Sequence, residues 1–205
     1  NGSKYQFRGD PGMPAERMDT WEIGYIGDWR DWRMSLDVRL FDEKVYNRLL
    51  VIDRNESSDE IPDAMTAIQD VHMRGIEYQW KWSPFESTKI ILNQMFMEAD
   101  AEFIPSALAN TANSLWNPGG NYEKRRNIDD LSERGMPRRS TSLFWVQKLP
   151  WNLEFSAAGY WQDKAKWSIN TWAERYQRID TRIAYPFRWS GVRGEVAWII
   201  QSLNG

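Results

Sequence analysis

The nine residues Trp32-Arg33-Met34-Ser35-Leu36-Asp37-Val38-Arg39-Leu40 alternate without a break between apolar and polar side chains. Successive side chains of a strand point to opposite faces, so this stretch reads as a β-strand with one apolar and one charged face. The pattern recurs along the chain. Residues 75–82 set Ile76, Tyr78, Trp80 and Trp82 against Gly75, Glu77, Gln79 and Lys81. Residues 178–185 set Ile179, Thr181, Ile183 and Tyr185 against Arg178, Asp180, Arg182 and Ala184. Residues 195–201 set Val196, Trp198 and Ile200 against Glu195, Ala197, Ile199 and Gln201, and residues 20–26 set Trp21, Ile23 and Tyr25 against Thr20, Glu22 and Gly24. The runs 89–98, 141–148 and 153–162 are also strand-like, with faces less cleanly separated. The expectation is eight antiparallel strands in an all-β meander.

The connections between these strands alternate in length. Residues 27–31, 83–87, 149–152 and 188–191 are short and carry Gly, Pro, Asp, Asn or Ser, as hairpin turns require. Residues 42–67, 99–140 and 163–175 form long polar connections. Short turns at one end and long loops at the other is the asymmetry of an outer-membrane barrel. The Trp residues sort in the same way. Trp29, Trp32, Trp82, Trp151 and Trp189 lie in or beside the short turns, while Trp161, Trp167 and Trp172 flank a long connection. Two aromatic bands at opposite strand ends read as membrane-interface girdles.

Composition narrows the function classes. The chain has 205 residues, no Cys, one His and a formal net charge of −3. Without Cys there is no disulfide scaffold, thiolate zinc site or cysteine nucleophile. The single His72 excludes a multi-histidine metal site, and no nucleophile motif surrounds it. The charge balance lacks the clustered basic footprint of a nucleic-acid binder. The mean hydropathy is −0.68, and the longest apolar run is five residues, 196–200. No helix spans a bilayer on that, whereas alternating strands never give a long run.

The charged face comprises Glu22, Arg33, Asp37, Arg39, Glu77, Lys81, Arg178, Asp180, Arg182 and Glu195. In a soluble up-and-down barrel these charges would face water and the apolar side would enclose a small apolar ligand. In a large membrane barrel they would line a hydrated lumen. Alternation alone is compatible with both. The Trp sorting, the loop asymmetry and a strand length of roughly 10 residues select the membrane. Asp37, Arg39, Glu77, Arg178, Asp180, Arg182 and Glu195 are therefore expected to face the lumen and to form cross-strand ion pairs. A hairpin centred near Trp189-Ser190 would set Arg182 opposite residues 196–198 and Asp180 opposite residues 198–200.

At this point the sequence resembles a known family, the C-terminal barrel region of TonB-dependent outer-membrane receptors. Pro14-Ala15-Glu16-Arg17-Met18-Asp19-Thr20-Trp21-Glu22-Ile23-Gly24-Tyr25 is similar to the family's lead-in to a barrel strand, and residues 36–46, with Phe41, to its partner. Gly75-Ile76-Glu77 resembles a recurrent strand start. Arg178-Ile179-Asp180-Thr181-Arg182-Ile183-Ala184 and Gly194-Glu195-Val196-Ala197, with Gln201-Ser202-Leu203, resemble the family's penultimate strands. The resemblance implies that residues 1–205 are the C-terminal part of a barrel of about 22 strands. The plug domain, the TonB box and the aromatic-ended last strand are not in this sequence. Both ends, and the absence of a signal segment at residues 1–12, accord with a stretch of a longer protein. The implied function is energy-coupled uptake of a scarce ligand such as a ferric siderophore or cobalamin. The implied partners are outer-membrane lipid, the TonB complex through the plug, and a small-molecule or metal-chelate ligand. No cofactor, resident metal or nucleic acid is implied, and the chain is not expected to be an enzyme. Another outer-membrane porin or export barrel is the remaining alternative.

Loop residues give the ligand-site candidates. Trp116, Tyr122, Arg125 and Arg126 lie in the longest connection, which would face the cell exterior. Arg138-Arg139 and Arg125-Arg126 could meet anionic ligand groups or lipopolysaccharide phosphates. Asp59, Glu60, Asp63, Asp129 and Asp130 lack the spacing of a calcium loop and read as solvated loop acids.

Overall fold

The computed structural model describes residues 12–52, 64–109, 119, 122–168 and 170–203. The ladders begin with β1 (Arg17–Trp29), β2 (Met34–Ile52), β3 (Ala64–Trp82) and β4 (Thr88–Phe103). Two helices follow, α1 (Pro105–Ala109) and α2 (Tyr122–Glu133). Then come β5 (Arg139–Lys148), β6 (Glu154–Gln162), the short strands β7 (Ala165–Ser168) and β8 (Thr171–Ala173), β9 (Tyr176–Trp189) and β10 (Val192–Ile200). Eight strands form one antiparallel sheet in the order β1-β2-β3-β4-β5-β6-β9-β10, and among the described residues β7 pairs only with β8. Each main strand neighbours its predecessor in that order, so the topology is the expected meander. The sheet is open: β1 and β10 each pair on one side only among the described residues.

The ladders extend further than alternation indicates. The connection expected over 42–67 is mostly strand, since β2 runs to Ile52 and β3 starts at Ala64. β4 runs on to Phe103, and the remainder of the connection expected over 99–140 holds α1, α2 and the first two residues of β5. The connection expected over 163–175 contains the β7–β8 hairpin. The physical reason is the same on β2, β3 and β4. Above the apolar belt, the face that was apolar becomes polar, with His72 Nε2 2.8 Å from Asp42 Oδ2 and Arg74 3.2 Å from Glu98. The backbone ladder continues there although the hydrophobic pattern has stopped. His72 thus sits mid-strand, held by a carboxylate.

The short connections are tight. Ser190 and Gly191 both have positive φ, 50° and 84°, the signature of a two-residue turn whose twist matches the strands. The turn falls one residue later than expected, so Arg182 faces Ile199 and not residues 196–198. Asp180 lies just past the last β10 pair, Thr181 with Ile200. Between β5 and β6, Trp151 and Asn152 also have positive φ, and the Asn152 amide donates to the Pro186 carbonyl at 2.6 Å.

The buried apolar side chains are Ala67, Ile68, Val71, Met97, Ala99, Ala107, Ile128 and Ala184. All but Ala184 come from β3, β4 and the two helices, with α1 against β3 and α2 against β4. Elsewhere both sheet faces are open: Trp21, Ile23 and Trp198 are 79%, 72% and 71% exposed.

Candidate functional site: the charged face and the helix docked on it

The strand registers connect the seven charged residues. Arg39 pairs with Glu77 across β2 and β3. One transverse row runs Asp37, Gln79, Asn93, Ser142, Tyr160 and Arg178 from β2 to β9. Directly paired residues share a face. Alternation along β9 and the pairing of Arg182 with Ile199 add Asp180, Arg182 and Glu195 to it. All seven therefore lie on one face. Leu36, Leu40, Trp80, Ile183 and Trp198 lie on the other, where Trp198 pairs with Ile183 and Leu36 with Trp80.

The ion pairs on the charged face match expectation in part. Arg39 bridges Glu22 at 2.7 Å and Glu77 at 3.0 Å, joining three strands. Arg182 pairs with Glu195 and reaches Glu154 at 3.7 Å, joining β10, β9 and β6. Three of the seven, Arg178, Asp180 and Asp37, depart from the expected cross-strand ion pairing. Arg178 holds Asp180 at 2.8 Å within its own strand, because same-face neighbours two residues apart are close enough to meet. Asp180 also accepts the Ser202 N–H at 3.0 Å. Asp37 has no ion-pair partner among the described residues, since its row neighbour is Gln79. It lines an open hollow of about 520 Å³ with Arg39, Glu77, Asn93 and Ser142.

Sequence reading placed Gln79 on this face and missed its neutral partners Asn93 and Ser142. Gln79 donates to Asn93 at 2.6 Å, and Asn93 donates to Ser142 at 3.0 Å. Asn93 and Ser142 belong to the strands with poorly separated faces, so alternation did not mark them.

α2 lies on the charged face at the long-connection end. Gln69 is fully buried and shares a face with Val71, which pairs with Ala101. Its amide donates to Asp129 at 2.8 Å, and its carbonyl accepts from the Ser132 hydroxyl, which in turn accepts from Arg48. Glu133 accepts the Ala101 N–H at 3.2 Å. Asp129 and Asp130 are thus helix residues with partners, not free loop acids; Asp130 lies 3.5 Å from Arg134. Burial first, then the neighbouring Glu133 and Asp130, push the Asp129 carboxyl up to about 6 against the opposing Gln69 amide. Sequence reasoning saw no helix here.

Of the ligand candidates, Tyr122, Arg125 and Arg126 fall in the first turns of α2 and are exposed. Trp116 lies outside the described residues, as do Asp59, Glu60 and Asp63. Among the described residues no three acidic or imidazole groups gather in a metal-binding cluster. Trp29, Trp82 and Trp189 end β1, β3 and β9, Trp151 sits in the β5–β6 turn, and Trp32 in the helical turn Arg30–Trp32. β1, β3, β5 and β9 all run toward the short connections, so the five Trp gather at one end of the sheet. Trp32, Trp151 and Trp189 are two-thirds exposed or more.

A family model for the TonB-dependent receptor-like β-barrel matches residues 1–198. No curated protein matches the sequence. Among solved structures, the ferric yersiniabactin uptake receptor FyuA of Yersinia pestis is 14% identical, with a TM-score of 0.62. The match covers 94% of this chain and 25% of that one. BauA, the ferric preacinetobactin receptor of Acinetobacter baumannii, is 13% identical at a TM-score of 0.61, covering 94% and 26%. The FrpB iron transporter of Neisseria meningitidis is 13% identical at 0.60, covering 90% and 26%. The chain therefore spans about a quarter of the solved chains it resembles, and at these identities the likeness is one of fold.

Proposed function

The chain belongs to the TonB-dependent receptor-like β-barrel family, and from that premise we propose that it forms a section of barrel wall in an outer-membrane receptor of a Gram-negative bacterium. The apolar face meets lipid. Asp37, Arg39, Glu77, Arg178, Asp180, Arg182 and Glu195 line the hydrated lumen. Trp29, Trp32, Trp82, Trp151 and Trp189 lie at the membrane interface on the short-turn side. The observation that carries this reading is the register: one continuous row of charged, amide and hydroxyl side chains backs onto a sheet face with Trp21, Ile23 and Trp198 almost bare. In water that apolar face would cost about 25 cal/mol per Å² left exposed. Against lipid tails it costs nothing, and the lumen-side charges stay hydrated.

The parent receptor would import a scarce ligand of the ferric siderophore class, with energy delivered by the TonB complex through a plug that this chain does not contain. Tyr122, Arg125 and Arg126, with Trp116, would contact the ligand from the outer side. Support comes from the family membership and from the solved structures that this chain resembles, whose names describe an iron transporter and receptors for ferric yersiniabactin and ferric preacinetobactin. This stretch has no native Cys, so single-cysteine variants of the full receptor test the wall assignment. Cysteines at Asp37 and Glu77 should react with a membrane-impermeant maleimide in intact outer membranes, and cysteines at Leu36 and Trp198 should not. Equal labelling on the two faces would refute the lipid and lumen assignment. Radioiron uptake from a panel of ferric siderophores, with and without the gene, tests the import reading. Uptake unaffected for every chelate would reject that ligand class.

A further inference from the structure

A cavity of about 280 Å³ opens between the residues just after α2, the residues just before β5, and the β7–β8 hairpin. Arg134, Arg138, Lys164 and Arg175 line it with Trp172, and Asp163 is its only carboxylate. Arg175 lies 3.7 Å from Asp163, and Arg134 3.5 Å from Asp130. Arg138 and Lys164 have no carboxylate partner among the described residues. Behind them Lys166 is only 6% exposed, and it too lacks one. The Lys164 and Lys166 ammonium groups stand 4.9 and 4.8 Å from the same Trp172 ring. Five cations thus face two carboxylates, and one of the cations is buried. A buried cation without an anion is costly, and a group of them around a cavity is what a multiply charged oxyanion needs.

We infer that this pocket is an oxyanion site for a phosphate group, bound between Arg138 and Lys164 and backed by Lys166. The surroundings favour a lipid headgroup as the source. A second cavity, sharing Asp163 and Arg175, brings in Arg139, whose guanidinium lies 5.7 Å from the Phe96 ring. Arg138 and Arg139 also border a broad groove floored by Leu40, Ile76 and Phe96. The cations therefore stand at the upper margin of the apolar face. A phosphate headgroup in the pocket would leave its acyl chains on that face, at the depth where basic side chains meet anionic lipid. The lipid source rests on the membrane reading of this face; the phosphate site does not.

The test uses the full receptor in neutral detergent, with a double substitution R138A/K164A and the conservative double R138K/K164R. The first probe is phosphatidic acid doped into the micelles, with retained lipid counted by native mass spectrometry. The second is inorganic phosphate alone, followed by calorimetry. Heat-modifiable gel mobility confirms that each variant is folded. Loss of two charges should weaken phosphatidic acid retention about thirtyfold, and the conservative double should restore most of it. Phosphate binding lost in the alanine double, with lipid retention unchanged, would keep the site and make free phosphate its source. Absence of binding to both probes in the parent, or equal binding by the parent and the alanine double, would overturn the proposal.

Discussion

Arg39 and Ile183 show how one substitution type separates the two faces. Arg39 ties Glu22 to Glu77 in a half-exposed ion pair, and such pairs contribute about 0–1 kcal/mol. Ile183 stands between Phe155 and Trp198 on the apolar side. Glu77→Lys should therefore cost no more than about 1 kcal/mol. Ile183→Lys should cost roughly 2–4 kcal/mol if it lies near the bilayer midplane. Unfolding of the full receptor from bilayers in denaturant measures both, and equal costs would contradict the assignment of faces. A turn residue gives a different kind of test. Asn152 sits at φ 60° and donates to the Pro186 carbonyl. A β-branched side chain tolerates that backbone poorly, so Asn152→Val should cost about 1–2 kcal/mol. Asn152→Gly, free of that steric conflict, should cost less in the same unfolding experiment.

At the level of elements, α2 is held by a polar contact rather than by an apolar stripe. Its sequence offers only Ile128 and Leu131 as aliphatic anchors, and its principal partner, Gln69, is 60 residues away from Asp129. Gln69→Leu would leave the Ser132 hydroxyl and Asp129 without that partner, at a cost of about 1–3 kcal/mol, so α2 should become more protease-sensitive. The same contact makes docking pH-dependent. The Asp129 carboxyl ordinarily titrates near 3.8 and in the fold near about 6. Between those values the folded state binds more protons than the unfolded one. The contribution to docking is therefore complete below the lower value and lost as pH rises through the upper one. Hydrogen exchange in α2, corrected for intrinsic rate, should show less protection above pH about 6 than below about 4, and Asp129→Asn should flatten that difference. Unchanged protection across the window would disconnect Asp129 from docking. This is also why the sequence was uneven to read. Strands were legible where an apolar face backs a charged one, as in residues 32–40. The upper parts of β2 and β3 were not, because there the once-apolar face turns polar and hydrogen-bond pairing alone sustains the ladder. The seven charged residues and Gln79 were legible from alternation, whereas Asn93 and Gln69 were not. An amide's role depends on a neighbour across the sheet, which no local pattern carries.

For the molecule as a whole, the open edges decide what the chain can do alone. β1 has 13 residues and β10 has nine, and each presents one unpaired side among the described residues. Along such an edge alternate residues point their N–H and C=O groups outward. In hydrocarbon each unsatisfied group costs on the order of 2–7 kcal/mol. A dozen such groups would outweigh the roughly 5–15 kcal/mol by which a domain is ordinarily stable. Closure by further strands removes both edges at once, and the match to only a quarter of each solved relative accords with such strands being supplied elsewhere in the protein. Residues 1–205 alone, refolded into detergent or lipid, should therefore fail to give a heat-modifiable monomer and should associate edge to edge. The same residues expressed together with the rest of the barrel should yield a protease-resistant, heat-modifiable species. Gel mobility with and without boiling, and size-exclusion chromatography with light scattering, report the two outcomes. A folded, protease-resistant monomer formed by residues 1–205 alone would mean that the sheet closes its own edges, and the wall-section reading would fall.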